Sequence, residues 1–202
     1  MNFTKTIFLI FILGAVKGFS QTNVSTYSEL TNAISNASSG AVISLTNDIV
    51  ISAEISTNKT FTLNGNGYTL TVPVPGMNSQ GKVNASASNF RVLKLTNGAN
   101  VTVNHLTFKG GKVTTTNYQG GAIRVETGAT VRLNSCVISD SASNPVASGC
   151  SGAGGGIAIY GTAYLYDCSI KRNAATYAGG ILVKGGVMYM DKSTVSENRT
   201  TS

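Results

Sequence analysis

The sequence predicts an all-β solenoid, a parallel β-helix of about six rungs, and three observations predict it. First, one phrase returns along the chain. Its clearest copy opens Gly120-Gly121-Ala122-Ile123-Arg124-Val125 and closes on Val131, Leu133 and Ile138. Others open at Gly155-Gly156 and Gly179-Gly180, and a weaker one runs from Gly98 to Phe108. The copies align in columns: Val131 with Ala163 and Met188, Leu133 with Leu165 and Met190, Ile138 with Ile170 and Val195. Second, the apolar residues within a copy alternate with polar ones, the period of a strand and not of a helix. Third, only 11% of residues are charged while 42% are apolar. Gly, Asn, Ser and Thr take the place of charge, the composition of short strands joined by turns that short polar side chains can bond. Units this short cannot bury their own apolar side, so each depends on its neighbour in the stack.

The chain of 202 residues divides into three parts. Residues 1–20 read as a secretory signal peptide: Lys5, an apolar run over residues 7–16, then Gly18-Phe19-Ser20 with small residues at the cleavage positions. The run is shorter than the roughly 20 apolar residues that span a bilayer, and no later stretch qualifies, so an exported chain without a membrane span is expected. Residues 21–40 read as a cap. Leu30, Ala33, Ile34 and Ala37 fall at helical spacing and Gly40 is a natural terminator; a short helix there would cover the open first rung. Residues 41–202 carry the rungs. Pro73 and Pro75 open a polar stretch to Asn89, which reads as a loop thrown out from a rung because proline cannot sit inside a ladder. Residues 140–153 read as a second excursion. The chain stops just after a rung with no recognisable cap, and a fragment of a longer protein is expected.

Cys136 and Cys168 share a column, about 4.8 Å apart at rung spacing. Two readings stay open: a stacked pair of small buried thiols, the favoured one because cysteine packs as a hydrophobe, or a disulfide, since that separation is within bonding reach. Cys150 sits in a Ser/Gly-rich insertion and reads as free.

With Ile43-Ser44-Leu45, Asn47-Asp48-Ile49 and Leu63-Asn64-Gly65-Asn66-Gly67-Tyr68-Thr69-Leu70, the opening of the solenoid resembles right-handed parallel β-helices of the pectin-lyase-like superfamily. The later copies resemble polymorphic outer-membrane protein repeats. Their Gly-Gly-Ala-Ile motif is matched by Gly120-Gly121-Ala122-Ile123, and their Phe-x-x-Asn motif survives as Ile170-Lys171-Arg172-Asn173 and Val195-Ser196-Glu197-Asn198, with the Asn kept and the Phe lost. The resemblance implies a right-handed coil and a surface-exposed or secreted passenger, often adhesive.

Enzymes occur on such folds, so the acids are candidate catalysts. Hydrolysis of a glycan needs carboxylates converging on one face, and calcium-assisted elimination needs several around one ion. The acids here are Glu29, Asp48, Glu54, Glu126, Asp140, Asp167, Asp191 and Glu197, and adjacent copies seldom both carry one. Asp167 has Ser135 and Lys192 in its column; Asp140 has Arg172 and Glu197, an alternation that reads as an ion-pair ladder of small individual value. His105 is the only histidine and reads as a turn residue, and there is no Cys-x-x-Cys, so neither a metal site nor a cofactor is expected. The net charge, +7, falls to +5 once Lys5 and Lys17 leave with the leader. It is not clustered, which excludes nucleic acid as a partner.

One surface feature stands out. If the Val131 and Leu133 columns face inward, Arg132, Tyr164 and Tyr189 face out in one line, with Tyr160 and Tyr166 close in sequence. These five residues are the candidate contact for a glycan, matrix or cell-surface partner; the same stacking also stabilises neighbouring strands with no ligand at all, and that structural role is favoured. The preferred functional reading is an exported, non-enzymatic, adhesive or structural passenger that displays loops and an outer face to a host or neighbouring cell. The alternative is the N-terminal part of a polysaccharide lyase or glycoside hydrolase whose catalytic rungs lie beyond residue 202.

Overall fold

The computed structural model describes residues 21–84, 86–114, 119–143 and 152–201. The signal peptide assigned to residues 1–20, Cys150 and most of the excursion at residues 140–153 lie outside them. The fold is all-β: parallel strands stack into sheets along one axis, a parallel β-helix.

The first, 7-stranded sheet holds Gln21–Val24, Ala41–Leu45, Thr60–Asn64, Asn100–Asn104, Thr130–Asn134, Thr162–Tyr166 and Val187–Asp191. The second, 6-stranded, holds Ile49–Val50, Thr69–Thr71, Thr107–Lys109, Val137–Ser139, Ser169–Lys171 and Thr194–Ser196. The third, 4-stranded, is built from the short strands Lys112–Val113, Ala142–Ser143, Ala174–Ala175 and Arg199–Thr200. The fourth, 5-stranded, holds Ile55–Thr57, Leu93–Leu95, Ile123–Val125, Ile157–Ile159 and Ile181–Val183. In a full coil the chain visits them in that order before starting again one strand further along.

Registers match the columns read from the repeats. Val131 pairs with Ala163 and Ala163 with Met188; Leu133 pairs with Leu165 and Leu165 with Met190. Ile138 pairs with Phe108 and Ile170, and Ile170 with Val195. Apart from Met190 and Val195, which are exposed on the last coil, these side chains belong to one continuous apolar core down the middle of the coil, with Met188 packed against it. Alternation does this work: in Thr130–Asn134 the two apolar residues are buried and Arg132 between them is exposed.

The corners explain the residues between strands. His105, Ser135, Asp167 and Lys192 succeed one another at the corner between the first and second sheets, with φ of 50°, 51°, 54° and 49°. Asp140, Arg172 and Glu197 repeat the left-handed conformation at the next corner, with φ of 56°, 53° and 54°. His105 is thus a turn residue. The Asn that follows that second corner turns inward. Asn173 is fully buried; its Nδ2 donates to Ile138 O at 3.0 Å and its Oδ1 accepts from Ser141 N at 3.1 Å. Asn198 repeats the pattern, donating to Ile170 O at 2.7 Å. The glycine pairs stand where the chain enters the fourth sheet, and there backbones nearly touch. A Cβ on Gly155 would lie 2.2 Å from Ala174 O and 2.4 Å from Gly179 O, so no larger residue fits.

The cap is narrower than the 21–40 expected. Gln21–Val24 is a strand, not helix, and adds in register to Ala41–Leu45. The helix α1 spans Tyr27–Ser35 and opens with a capping box: Glu29 N donates to Thr26 Oγ1 at 3.2 Å, and Thr26 N donates back to Glu29 Oε2 at 3.2 Å. Leu30 and Ile34 are buried against the core. The helix closes at Asn36, whose Nδ2 bonds Asn32 O at 2.9 Å; Gly40, with φ of 87°, turns the chain into the coil rather than ending the helix.

Residues 73–84 and 86–90 are not a loop thrown clear of the body. They stand where later coils place a strand of the third sheet, and they fold back as a strap over that sheet. Met77 and Val83 form an antiparallel bridge and pack on Ala142 and Ala174. The strap is also tied by Gly76 N to Gly110 O (2.6 Å), Met77 N to Asp140 O (3.0 Å) and Lys112 Nζ to Asn84 O (2.7 Å). Its tip places Gly81 against the Arg199 guanidinium. From Lys112 to Arg199 it therefore crosses three coil spacings, about 14 Å along the axis.

Candidate functional site

The outer face of the first sheet carries the line of residues singled out from the sequence. Its central outward column runs Thr62, Thr102, Arg132, Tyr164, Tyr189. The rings of Tyr164 and Tyr189 stack with centroids 4.9 Å apart and planes 8° from parallel. On the other side of Tyr164 lies the Arg132 guanidinium, 4.9 Å from the ring centroid and bonded to Asn100 Oδ1 at 2.8 Å. The column beside it runs Asn64, Asn104, Asn134, Tyr166, Asp191. Its asparagines form a side-chain ladder, Asn104 to Asn64 at 2.9 Å and Asn134 to Asn104 at 2.8 Å. Tyr166 receives Lys192 Nζ on its hydroxyl at 2.8 Å, with the ammonium also 5.1 Å from its ring centroid.

The structure brings Arg132, Tyr164, Tyr166 and Tyr189 together and places Tyr160 elsewhere. Tyr160 lies at the corner after the fourth sheet, with the Arg124 guanidinium 4.6 Å from its centroid. The stacking also limits what the row can do. Both faces of the Tyr164 ring are taken, one by Arg132 and one by Tyr189. What the row turns outward is ring edges and phenol hydroxyls, a line of hydrogen-bonding groups rather than an open aromatic platform.

The acids are largely tied to structural partners. Glu29 caps α1, and Asp48 Oδ1 accepts from Thr69 N at 2.8 Å. Glu54 pairs with Arg91 at 2.7 Å, Glu126 with Arg124 at 2.8 Å and with Lys94 at 3.6 Å, and Asp140 with Arg172 at 2.8 Å. Asp167 accepts from Ser135 Oγ at 2.8 Å. Burial pushes the Glu126 carboxyl up, but the hydrogen bonds from Arg124 and the charges of Arg124 and Lys94 outweigh it and hold the group below its ordinary value. Among the described residues no group of three or more His, Cys, Asp or Glu is placed to hold a metal ion.

Cys136 and Cys168 are free thiols, both buried. Each donates to the backbone of the preceding coil, Cys136 Sγ to Val103 O at 3.5 Å and Cys168 Sγ to Leu133 O at 3.3 Å. The hydrogen bond with Cys168, then burial, pushes the Cys136 thiol up. Buried cations were not read from the sequence. Arg91, Arg124 and Lys112 point outward from the coil yet are each less than a tenth exposed, because side chains and strap fold over them. The only sign in the sequence is their place in outward columns beside acids or excursions.

A family model described as "putative pectate lyase-like adhesive domain" matches residues 21–141. No curated protein and no solved structure matches the chain. The matched span covers more than half of the sequence, from the first strand through α1, the early coils and the strap to the corner at Asp140. The chain belongs to the family of pectate lyase-like adhesive domains.

Proposed function

We propose that the protein is an exported, non-enzymatic adhesion module, which carries a straight outer face of its first sheet against glycan or matrix on a host or neighbouring cell. The family is described as adhesive, and the leader-like residues 1–20 support export. The observation that carries the reading is the row Arg132, Tyr164, Tyr189 with Tyr166 alongside. These tyrosines are 37%, 56% and 44% exposed for Tyr164, Tyr189 and Tyr166; stacking of Tyr164 on Tyr189 and the Lys192 contact to Tyr166 hold them in place before any partner arrives, which lowers the entropy lost on binding. Phenol hydroxyls repeated at strand spacing match a repetitive polar partner such as a polysaccharide.

The test is a glycan and matrix-protein array probed with the protein and with Tyr164→Ala/Tyr189→Ala. Loss of two interface tyrosines is expected to weaken binding by at least about tenfold. Equal binding by both proteins would remove the row from the function.

A further inference from the structure

The strap makes a second feature, on a different flank from the tyrosine row. Between its tip and the corner at Asp140 lies a cleft of about 350 Å³, lined by Pro75, Met77, Asn78, Ser79, Gly81, Lys109, Asp140 and Arg172. Arg199 lies against the lining residue Gly81: a Cβ there would lie 3.2 Å from its Nη1 and Nη2, so the missing side chain lets the guanidinium come up to the strap. Lys82, next to Gly81 in sequence, is exposed. Among the described residues Arg172 is neutralised, through Nε and Nη2 on Asp140 at 2.8 and 3.0 Å. Neither Lys109 nor Arg199 is paired with an acid among the described residues. Glu197 is the nearest further acid in sequence, and it acts on Arg172.

We propose that this cleft binds an anionic sugar residue, a pyranose carrying a carboxylate or a sulfate ester. The volume suits one ring rather than an extended protein surface. Cations concentrated round a concave wall focus positive potential into it, and a guanidinium presents forked donors that fit carboxylate and sulfate oxygens. Pro75 and Met77 supply an apolar wall for the C–H face of the ring, and Asn78 and Ser79 supply groups for its hydroxyls. The wall is built in advance, because Met77 is seated on Ala142 and Ala174. Nucleic acid fits less well, since no aromatic side chain lines the cleft for a base to stack on.

The experiment is titration of the protein, at about 0.1 M salt, where surface charges more than about 10 Å apart are screened, with dextran sulfate and hyaluronate. Neutral dextran, inorganic sulfate and single-stranded DNA serve as comparison ligands. At least one anionic glycan is expected to bind and neutral dextran is not. Lys109→Ala/Arg199→Ala should weaken binding by at least about tenfold, while Lys59→Ala/Lys184→Ala, which removes the same charge elsewhere, should leave it within about twofold. Tyr164→Ala/Tyr189→Ala should also leave it unchanged, which separates this cleft from the tyrosine row. The proposal is overturned if neither glycan binds, if both lysine-containing variants lose affinity alike, if DNA binds as tightly, or if inorganic sulfate alone competes at equal concentration of sulfate groups.

Discussion

Leu133 and Met190 occupy the same column two coils apart, yet Leu133 is 0% exposed and Met190 is 44% exposed. Ile138 and Val195 repeat the contrast, at 0% and 47%. The opposite end behaves differently. Ile43 and Leu45 lie in the first coil, and both are buried because Gln21–Val24 extends the sheet and α1 lays Leu30 and Ile34 over the core. The apolar residue is of the same kind in all these places. What changes is whether a neighbour is stacked on it. Burial here belongs to the contact between units, as one-dimensional repeat energetics requires.

Three measurements break or sharpen that contrast. The largest effect is expected in the middle of the stack. Leu133→Ala should lower the stability to urea by about 3 kcal/mol, since it opens a cavity between two coils. Met190→Ala, with no coil seated on it among the described residues, should lower it by less than about 1 kcal/mol. Equal losses would mean that the last coil is as well packed as the middle one. Next comes the capped end. Thr26→Ala removes the acceptor that starts α1 and should lower stability by about 1 kcal/mol; a thermal melt unchanged by the substitution would show that the helix is held by Leu30 and Ile34 alone.

The smallest effect is expected with pH. Glu29 is held below its ordinary value of 4.5 by the backbone hydrogen bond from Ser25, then the Ser25 hydroxyl, with Thr26 adding to them. Glu126 in the fourth-sheet flank is lowered from the same value. A carboxyl whose folded value is lowered takes up protons more readily when unfolded. Its contribution is therefore complete above about pH 4.5 and is lost as pH falls through the folded value. Melting temperature should drop on acidification through that window, and Glu29→Gln and Glu126→Gln should each flatten the drop. Parallel curves for wild type and both variants would place the acid sensitivity elsewhere.

Much of this was legible from the residues because the period is short and strict. Alternation at period two set the inward columns, and the repeated glycine pairs set the phase between coils, so Leu133, Leu165 and Met190 could be aligned without coordinates. The same alignment put Arg132, Tyr164 and Tyr189 on one outward line. It could not show that the rings would stack flat on one another, because ring orientation follows from χ angles and not from spacing. Tyr160 was misleading for a related reason: proximity in sequence to Tyr164 hides a corner between two sheets. Gln21–Val24 carries no alternation, since three of its four residues are exposed on an edge. The third sheet was illegible because a strand of two residues has no period. Ala142 and Ala174 look like filler until Met77 is seen resting on them.

That seat has a consequence for assembly. Residues 73–90 leave the ribosome early, while the surface that receives them is made of Ala142, Ala174 and Arg199, which are synthesised much later. Until those coils have wound, Met77 and Val83 have nothing to rest on, and the buried ammonium of Lys112 lacks its carbonyl partner at Asn84. Winding can proceed coil by coil from local contacts, but docking of the strap is a long-range event that must wait for it. The segment therefore acts as a late fastening drawn across finished turns, and the cation-rimmed cleft beside it comes into being only at that final step.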